Sequence, residues 1–119
     1  MSWDAYLECQ CCGDAGSREW NYTHNTSRMI YAVLYELPGR ERPTDDQGRP
    51  VAWYRELDGL TGAESLDLLV ELANGLADPA LDALNPENGW GSRSGLLGVV
   101  REMRDAAQDS PKMVWAASG

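Results

Sequence analysis

The chain has 119 residues, with 10 Lys and Arg against 19 Asp and Glu, and a formal net charge of −9. This length suits one compact domain, residues 1–119, whose core needs neither metals nor disulfides. The negative charge argues against binding to nucleic acid or to an anionic membrane surface, because both need a basic protein surface.

The sequence contains neither a membrane-span pattern nor a secretory-signal pattern. It has no run of about 18 apolar residues. Its first residues carry Asp4 and Glu8, where a signal would be basic and then apolar. We therefore expect a cytoplasmic protein with its three cysteines reduced.

Two short segments near the N-terminus alternate between apolar and polar residues. Trp3, Ala5 and Leu7 have the two-residue period of a half-buried strand, and the same period returns at Trp20 and Tyr22. The segments predict two strands that pair as a hairpin.

The loop between these strands holds all three cysteines. Cys9, Cys12 and Gly13 reproduce the CxxCG spacing of zinc knuckles. A closed zinc site needs four ligands, and the chain reaches four only by adding Cys11 and His24. A zinc site that includes Cys9, Cys12 and His24 is one hypothesis, and reduced thiols without metal are the other.

A polar and aromatic run, residues 20–28, follows the second strand and leads into a helical pattern. Asn25, Thr26 or Ser27 can cap this helix, and Pro38 ends it. Its apolar positions are Met29, Ile30, Val33, Leu34 and Leu37. Because free amides at a helix N-terminus favour an anion, the run is a candidate binding segment.

Residues 38–59 are rich in Pro, Gly, Arg and Asp, which predicts an exposed loop. The end of this loop, residues 51–54, is apolar enough to dock on the body as a short helix or lid.

The second predicted helix starts at a capping box formed by Thr61 and Glu64. Its apolar stripe comprises Leu66, Leu69, Val70, Ala73 and Leu76. A turn comes next in which Trp90 stands between two glycines, where it either fills a gap in the core or forms one wall of a ligand pocket.

The third predicted helix runs from about Ser92 to Gln108, and a last strand contains Trp115. The buried face of this helix is predicted at Leu96, Val99, Val100, Met103 and Ala107. The resulting order is β-β-α-loop-α-α-β. It predicts an α+β fold in which the N-terminal hairpin and the C-terminal strand form a small antiparallel sheet covered by three helices. The three helix starts, near Asn25, Thr61 and Ser92, would then lie around one edge.

Three blocks carry a resemblance to a known family: NYTHNTSRMIYAVL, LDGLTGAESLDLL, and NPENGWGSRSGLLGVVREM with the closing PKMVW. Together they resemble small, mostly uncharacterised proteins of bacteriophages and prophages. The likeness covers most of residues 20–115 and omits the cysteine loop. His24 stands where relatives commonly have tyrosine, so the resemblance carries over no catalytic histidine. It implies a phage-type origin, with the cytoplasm of the host cell as the expected location, and no particular activity.

Catalytic motifs are missing from the sequence. It has no phosphate-binding loop, no Gly-x-Ser-x-Gly elbow and no HExxH pair. Glu64 and Glu87 are a carboxylate pair in principle, but Glu64 already has a structural task in the capping box. We therefore predict no catalytic residues.

The leading functional hypothesis is a pocket that binds a small polar ligand without turnover. Aromatic rings would stack on a planar group, carboxamides would read its edge, and arginines with helix N-termini would hold a phosphate. In a phage-type protein, such a pocket would sequester a nucleotide immune signal of the host as a counter-defence. The residues assigned to it are Asn21, Tyr22, His24, Asn25, Arg28, Asn88, Trp90 and Arg93.

Two alternatives stand beside this hypothesis. The protein is an acidic adaptor or inhibitor that binds a host factor and has no pocket, or the carboxamides only cap the first helix. An adaptor would expose Asn21, Asn25 and Arg28, whereas a pocket protein would bury them. A homo-oligomer that completes a site at its interface is a further expectation.

Overall fold

The computed structural model describes residues 2–9, 19–36 and 41–119. The helices and strands in chain order are β1 (Ser2–Glu8), β2 (Glu19–Thr23), α1 (Ser27–Tyr31), α2 (Tyr54–Leu57), α3 (Gly62–Leu76), α4 (Arg93–Asp109) and β3 (Val114–Ser118). A 3₁₀ turn, His24–Thr26, leads into α1, which continues as a π-helical turn over Ala32–Glu36. A second 3₁₀ segment spans Pro79–Leu84. The predicted α+β class is confirmed.

The three strands form one antiparallel sheet, as predicted, and their order in the sheet is β2-β1-β3. β1 pairs with β2 from Ser2 opposite Thr23 to Tyr6 opposite Glu19. The alternate β1 residues Trp3, Ala5 and Leu7 are fully buried against the helices. This alternation is the two-residue period of the sequence, and it places the remaining β1 residues on the opposite face.

We call that opposite side the open sheet face. It comprises the second set of alternate positions in each strand: Ser2, Asp4, Tyr6 and Glu8 of β1, Glu19, Asn21 and Thr23 of β2, and Val114, Ala116 and Ser118 of β3. All of these residues are half-buried or exposed.

Helices α3 and α4 pack antiparallel to each other. Gly62, at the start of α3, lies against the end of α4, and a Cβ on Gly62 would come within 2.5 Å of the Ser110 carbonyl oxygen. At the other end, the Arg93 guanidinium donates to the Leu76 carbonyl oxygen over 3.0 Å. The starts of α3 and α4 are therefore at opposite ends of the pair, and the predicted grouping of Thr61 with Asn25 and Ser92 is wrong.

The apolar stripe of α3 is confirmed in part. Leu69, Ala73 and Leu76 are buried, but Val70 is 40% exposed and the unpredicted Leu72 is fully buried. Each residue rotates about 100° around the helix axis, so Val70 lies about 120° from the middle of the buried side of α3. That buried side packs against α4 and the π-helical turn, and Val70 faces away from them.

The end of the predicted loop docks on the body. Trp53 is fully buried and meets Trp3 edge-on, with ring centroids 5.0 Å apart, and the short helix α2 comes directly after it. Leu37, Pro38, Cys11 and Cys12 lie outside the described residues. In the described part of the chain, no helix has the length and apolar character that a bilayer crossing needs.

Candidate functional site

An open groove of about 480 Å³ lies where the hairpin meets the loop before α4. We call it the asparagine groove, because three of its lining side chains are carboxamides. The lining residues are Ser2, Asn21, Thr23, Asn25, Asn88 and Trp90. The pairing of β1 with β2 positions Ser2, Asn21 and Thr23, since Ser2 lies opposite Thr23 and Asn21 lies two pairs further along, on the same face.

Three contacts hold the loop before α4 against the end of β2. The Ser92 backbone N–H donates to the Tyr22 hydroxyl over 3.1 Å, and Asn25 Nδ2 donates to the Trp90 carbonyl oxygen over 3.5 Å. Gly91 packs between Thr23 and Thr26, and a Cβ there would come within 2.6 Å of the Thr23 methyl group. Gly91 also has a φ of +97°, which favours glycine. The two blocks predicted to form the site therefore meet.

Two side chains of β1 hold the Asn21 carboxamide in place on the sheet side of the groove. Its Nδ2 donates to Ser2 Oγ over 2.9 Å and to Asp4 Oδ1 over 2.7 Å. All three residues belong to the open sheet face, so the groove continues onto that face.

Asn88 and Trp90 form the loop side of the groove. Asn88 Oδ1 accepts the Trp90 backbone N–H over 3.0 Å, and Gly89 between them has a φ of +75°. This turn leaves the indole 71% exposed. The interpretation of Trp90 as a core residue is therefore wrong, and the indole instead forms the rim of the groove.

Neither predicted arginine lines the groove. The Arg93 guanidinium donates to Asp82 Oδ1 over 2.8 Å and to the Leu76 carbonyl oxygen. The Arg93 side chain is only 16% exposed. The hydrogen bond from Arg93 lowers the pKa of Asp82. Arg28 is exposed between buried neighbours of α1 and points to solvent.

The helix N-terminus beside the groove has little capacity left for a phosphate. The Arg93 backbone N–H donates to Asn85 Oδ1 over 2.8 Å, and the Gly95 N–H donates to the Ser92 hydroxyl over 3.1 Å. The Leu96 N–H donates to the Ser92 carbonyl oxygen. Because neither predicted arginine lines the groove, the geometry gives no support to the predicted phosphate contact.

His24 lies at the same end of the hairpin but does not line the groove. Its Nδ1 is 3.3 Å from the Ser27 hydroxyl, and its ring centroid is 6.2 Å from that of Tyr54 in α2. The side chain therefore faces α2.

Two of the predicted zinc ligands, Cys9 and His24, lie far apart. The hairpin register places His24 beside the Ser2 end of β1, whereas Cys9 lies just past the other end of this strand. Seven residues of extended chain put the two roughly 20 Å apart, too far to share one ion. Cys12 is outside the described residues, and within those residues no three His, Cys, Asp or Glu side chains form a metal-binding group.

The open sheet face carries a cluster of carboxylates that the sequence patterns did not single out. The charge of Glu19, burial and the charge of Asp4 all raise the pKa of Tyr6, with a smaller contribution from Glu8. The signal for this cluster was the strand alternation, which places Asp4, Tyr6 and Glu8 on one face once the pairing is known.

No protein-family model, curated protein sequence or solved structure matches the chain.

Proposed function

We propose that the asparagine groove binds a small polar ligand and does not turn it over. The supporting observation is the contact of Asn25 with the Trp90 carbonyl oxygen, which joins two segments 65 residues apart into one concave surface. Carboxamides beside an exposed indole combine hydrogen bonding with a flat stacking surface, which is the chemistry of a site for a planar polar ring.

The lining favours binding over catalysis. The described side chains that form it are three carboxamides, two hydroxyls and an indole, and none of them titrates near neutral pH. General acid–base chemistry needs a group that does. His24 faces α2 instead, so its imidazole is not part of the groove.

The resemblance to phage proteins gives this groove a biological role within the proposal. A phage protein that holds the base of a nucleotide signal would lower the free concentration of the signal by mass action and would need no turnover. The groove would contact the base, and the phosphates would stay in solvent.

Isothermal titration of the purified protein with adenosine, cytidine, guanosine and uridine tests the proposal. We expect at least one of them to bind the wild type and to bind Trp90→Ala about tenfold more weakly, because the stacking ring is lost. Asn25→Ala should bind it roughly two- to fivefold more weakly, because one hydrogen bond is lost. Asn74→Ala, on the exposed side of α3, is the matched control and should bind as the wild type does. Failure of all four nucleosides to bind at millimolar concentration would contradict the proposal.

A second candidate function is an acidic adaptor that docks on a cationic partner. Two observations favour it: Asn21, Asn25 and Arg28 are exposed, as expected of an adaptor, and carboxylates surround Tyr6 on the open sheet face. Such a surface attracts Lys and Arg side chains, and Tyr6 adds a ring on which a cation can lie. Unlike nucleoside binding, this docking would weaken steeply with added salt.

A further inference from the structure

The partners of the three groove carboxamides fix which end of each amide points to the ligand. Asn21 Nδ2 lies against Ser2 Oγ and the Asp4 carboxylate, and turning the amide over would place two oxygens against each other. Asn25 Nδ2 lies against the Trp90 carbonyl oxygen, so the same argument fixes its orientation. Asn88 is fixed in the opposite sense, because its Oδ1 accepts the Trp90 N–H.

The carboxamide atoms that remain for a ligand are therefore not the same in the three residues. Asn21 and Asn25 each keep a carbonyl oxygen that accepts hydrogen bonds, whereas the NH₂ group of Asn88 and the second N–H of Asn25 donate them. Asp4 adds negative charge beside Asn21, and among the described residues no cationic side chain lines the groove. The lining therefore offers two carboxamide oxygens to the N–H groups of a ligand, and it holds no positive charge that would attract an anion.

We propose that the groove selects an uncharged aromatic ring that carries an exocyclic amino group, the chemistry of an adenine-type nucleoside. This inference rests on the proposed function and deepens it. The amino N–H groups donate to the carbonyl oxygens of Asn21 and Asn25, a ring nitrogen accepts from Asn88, and the ring lies on Trp90. Because stacking on an indole accepts any flat ring, the two carbonyl oxygens supply the discrimination.

The test compares adenosine with purine riboside, which differs only by lacking the amino group. Titration of the wild type should show adenosine binding roughly five- to tenfold more tightly, the effect of about one net hydrogen bond. Asn25→Ala should reduce this preference to about two- to threefold, because it removes one of the two acceptors that only adenosine uses and leaves Asn21 in place. Asn88→Ala is the matched control, since it should weaken both ligands equally and leave their ratio unchanged.

Adenosine 5′-monophosphate tests the absence of charge recognition, and we expect it to bind no more tightly than adenosine. Tenfold tighter binding of the monophosphate would overturn the inference, because the ligand would then be read as an anion. Equal affinity of the wild type for adenosine and purine riboside would also overturn it, while leaving the proposed ligand-binding function intact. Failure of every nucleoside to bind would contradict the proposed function itself.

Discussion

The three buried tryptophans of the core differ in how their indole N–H groups are satisfied. Trp115 Nε1 donates to Ser65 Oγ over 2.9 Å, and Ser65 Oγ donates to the Gly62 carbonyl oxygen over 2.8 Å. The Nε1 atoms of Trp3 and Trp53 have no hydrogen-bond partner among the described residues. Ser65 thus satisfies a buried indole N–H and connects the start of α3 with β3 inside the core.

Replacing Ser65 by alanine should destabilise the protein by roughly 1–3 kcal/mol, because a buried indole N–H loses its acceptor. Urea denaturation monitored by circular dichroism measures this change in the free energy of unfolding. Gln108→Ala, at an exposed position of α4, is the control and should stay within about 0.5 kcal/mol of the wild type. A Ser65→Ala variant as stable as the control would show that the hydrogen bond contributes nothing net.

At the scale of single elements, α3 shows what a local pattern predicts. The Thr61 backbone N–H donates to Glu64 Oε1 over 2.9 Å, and the Glu64 N–H donates to Thr61 Oγ1 over 3.1 Å. This is the capping box that the spacing of the two residues indicated. Both partners lie within four residues, so the sequence alone contains the whole interaction.

The capping box makes the stability of α3 depend on pH. The hydrogen bond that the Thr61 backbone N–H donates to the Glu64 carboxylate is the main reason why the pKa of Glu64 is below its usual value of 4.5. A carboxylate whose pKa is lower in the folded state stabilises the protein above its unfolded pKa, and this stabilisation is lost as pH falls through the folded pKa.

We therefore expect wild type to be more stable than Glu64→Gln at pH 7 and the difference to shrink towards zero below about pH 4. Glutamine keeps an acceptor for the Thr61 N–H, so the comparison isolates the charge. Urea curves of both proteins at pH 7 and about pH 3.5 provide the measurement. Glu102→Gln, on the exposed side of α4, controls for the change in net charge. If the difference in the free energy of unfolding between wild type and Glu64→Gln were equal at both pH values, the charge of Glu64 would not be the source of the pH dependence.

At the scale of the whole molecule, local periodicity predicted the elements, whereas contacts between distant segments were only partly predictable. The strand alternation at Trp3 and Trp20 predicted the hairpin. The contact of Asn25 with the Trp90 carbonyl oxygen joins segments 65 residues apart, and no local pattern indicates it. The role of Arg93 was missed, because its partner Asp82 lies 11 residues away on a separate segment. The distance between Cys9 and His24 likewise depends on the register of the sheet, which the alternation alone does not give.

The charge of the molecule is distributed unevenly along the chain. Residues 56–92 contain no Lys, Arg or His, and their acidic residues are Glu56, Asp58, Glu64, Asp67, Glu71, Asp78, Asp82 and Glu87. The open sheet face adds Asp4, Glu8 and Glu19 around Tyr6. A cationic partner would therefore be attracted to much of this acidic surface, and a comparison of sites distinguishes the sheet face from the rest.

A fluorescently labelled peptide of alternating Lys and Gly residues provides that comparison by anisotropy. If the adaptor function holds, Glu8→Gln with Glu19→Gln should weaken binding at low salt, about 20 mM, at least fivefold, because these carboxylates share the face with Tyr6. The control with the same change in net charge is Asp67→Asn with Glu102→Gln, both exposed on helices, and it should weaken binding less than about twofold. Raising the salt to about 200 mM should weaken wild-type binding further, since screening acts on exposed charges. Equal losses in the two double variants would mean that the peptide responds only to the net charge of −9, and the sheet face would then have no special role.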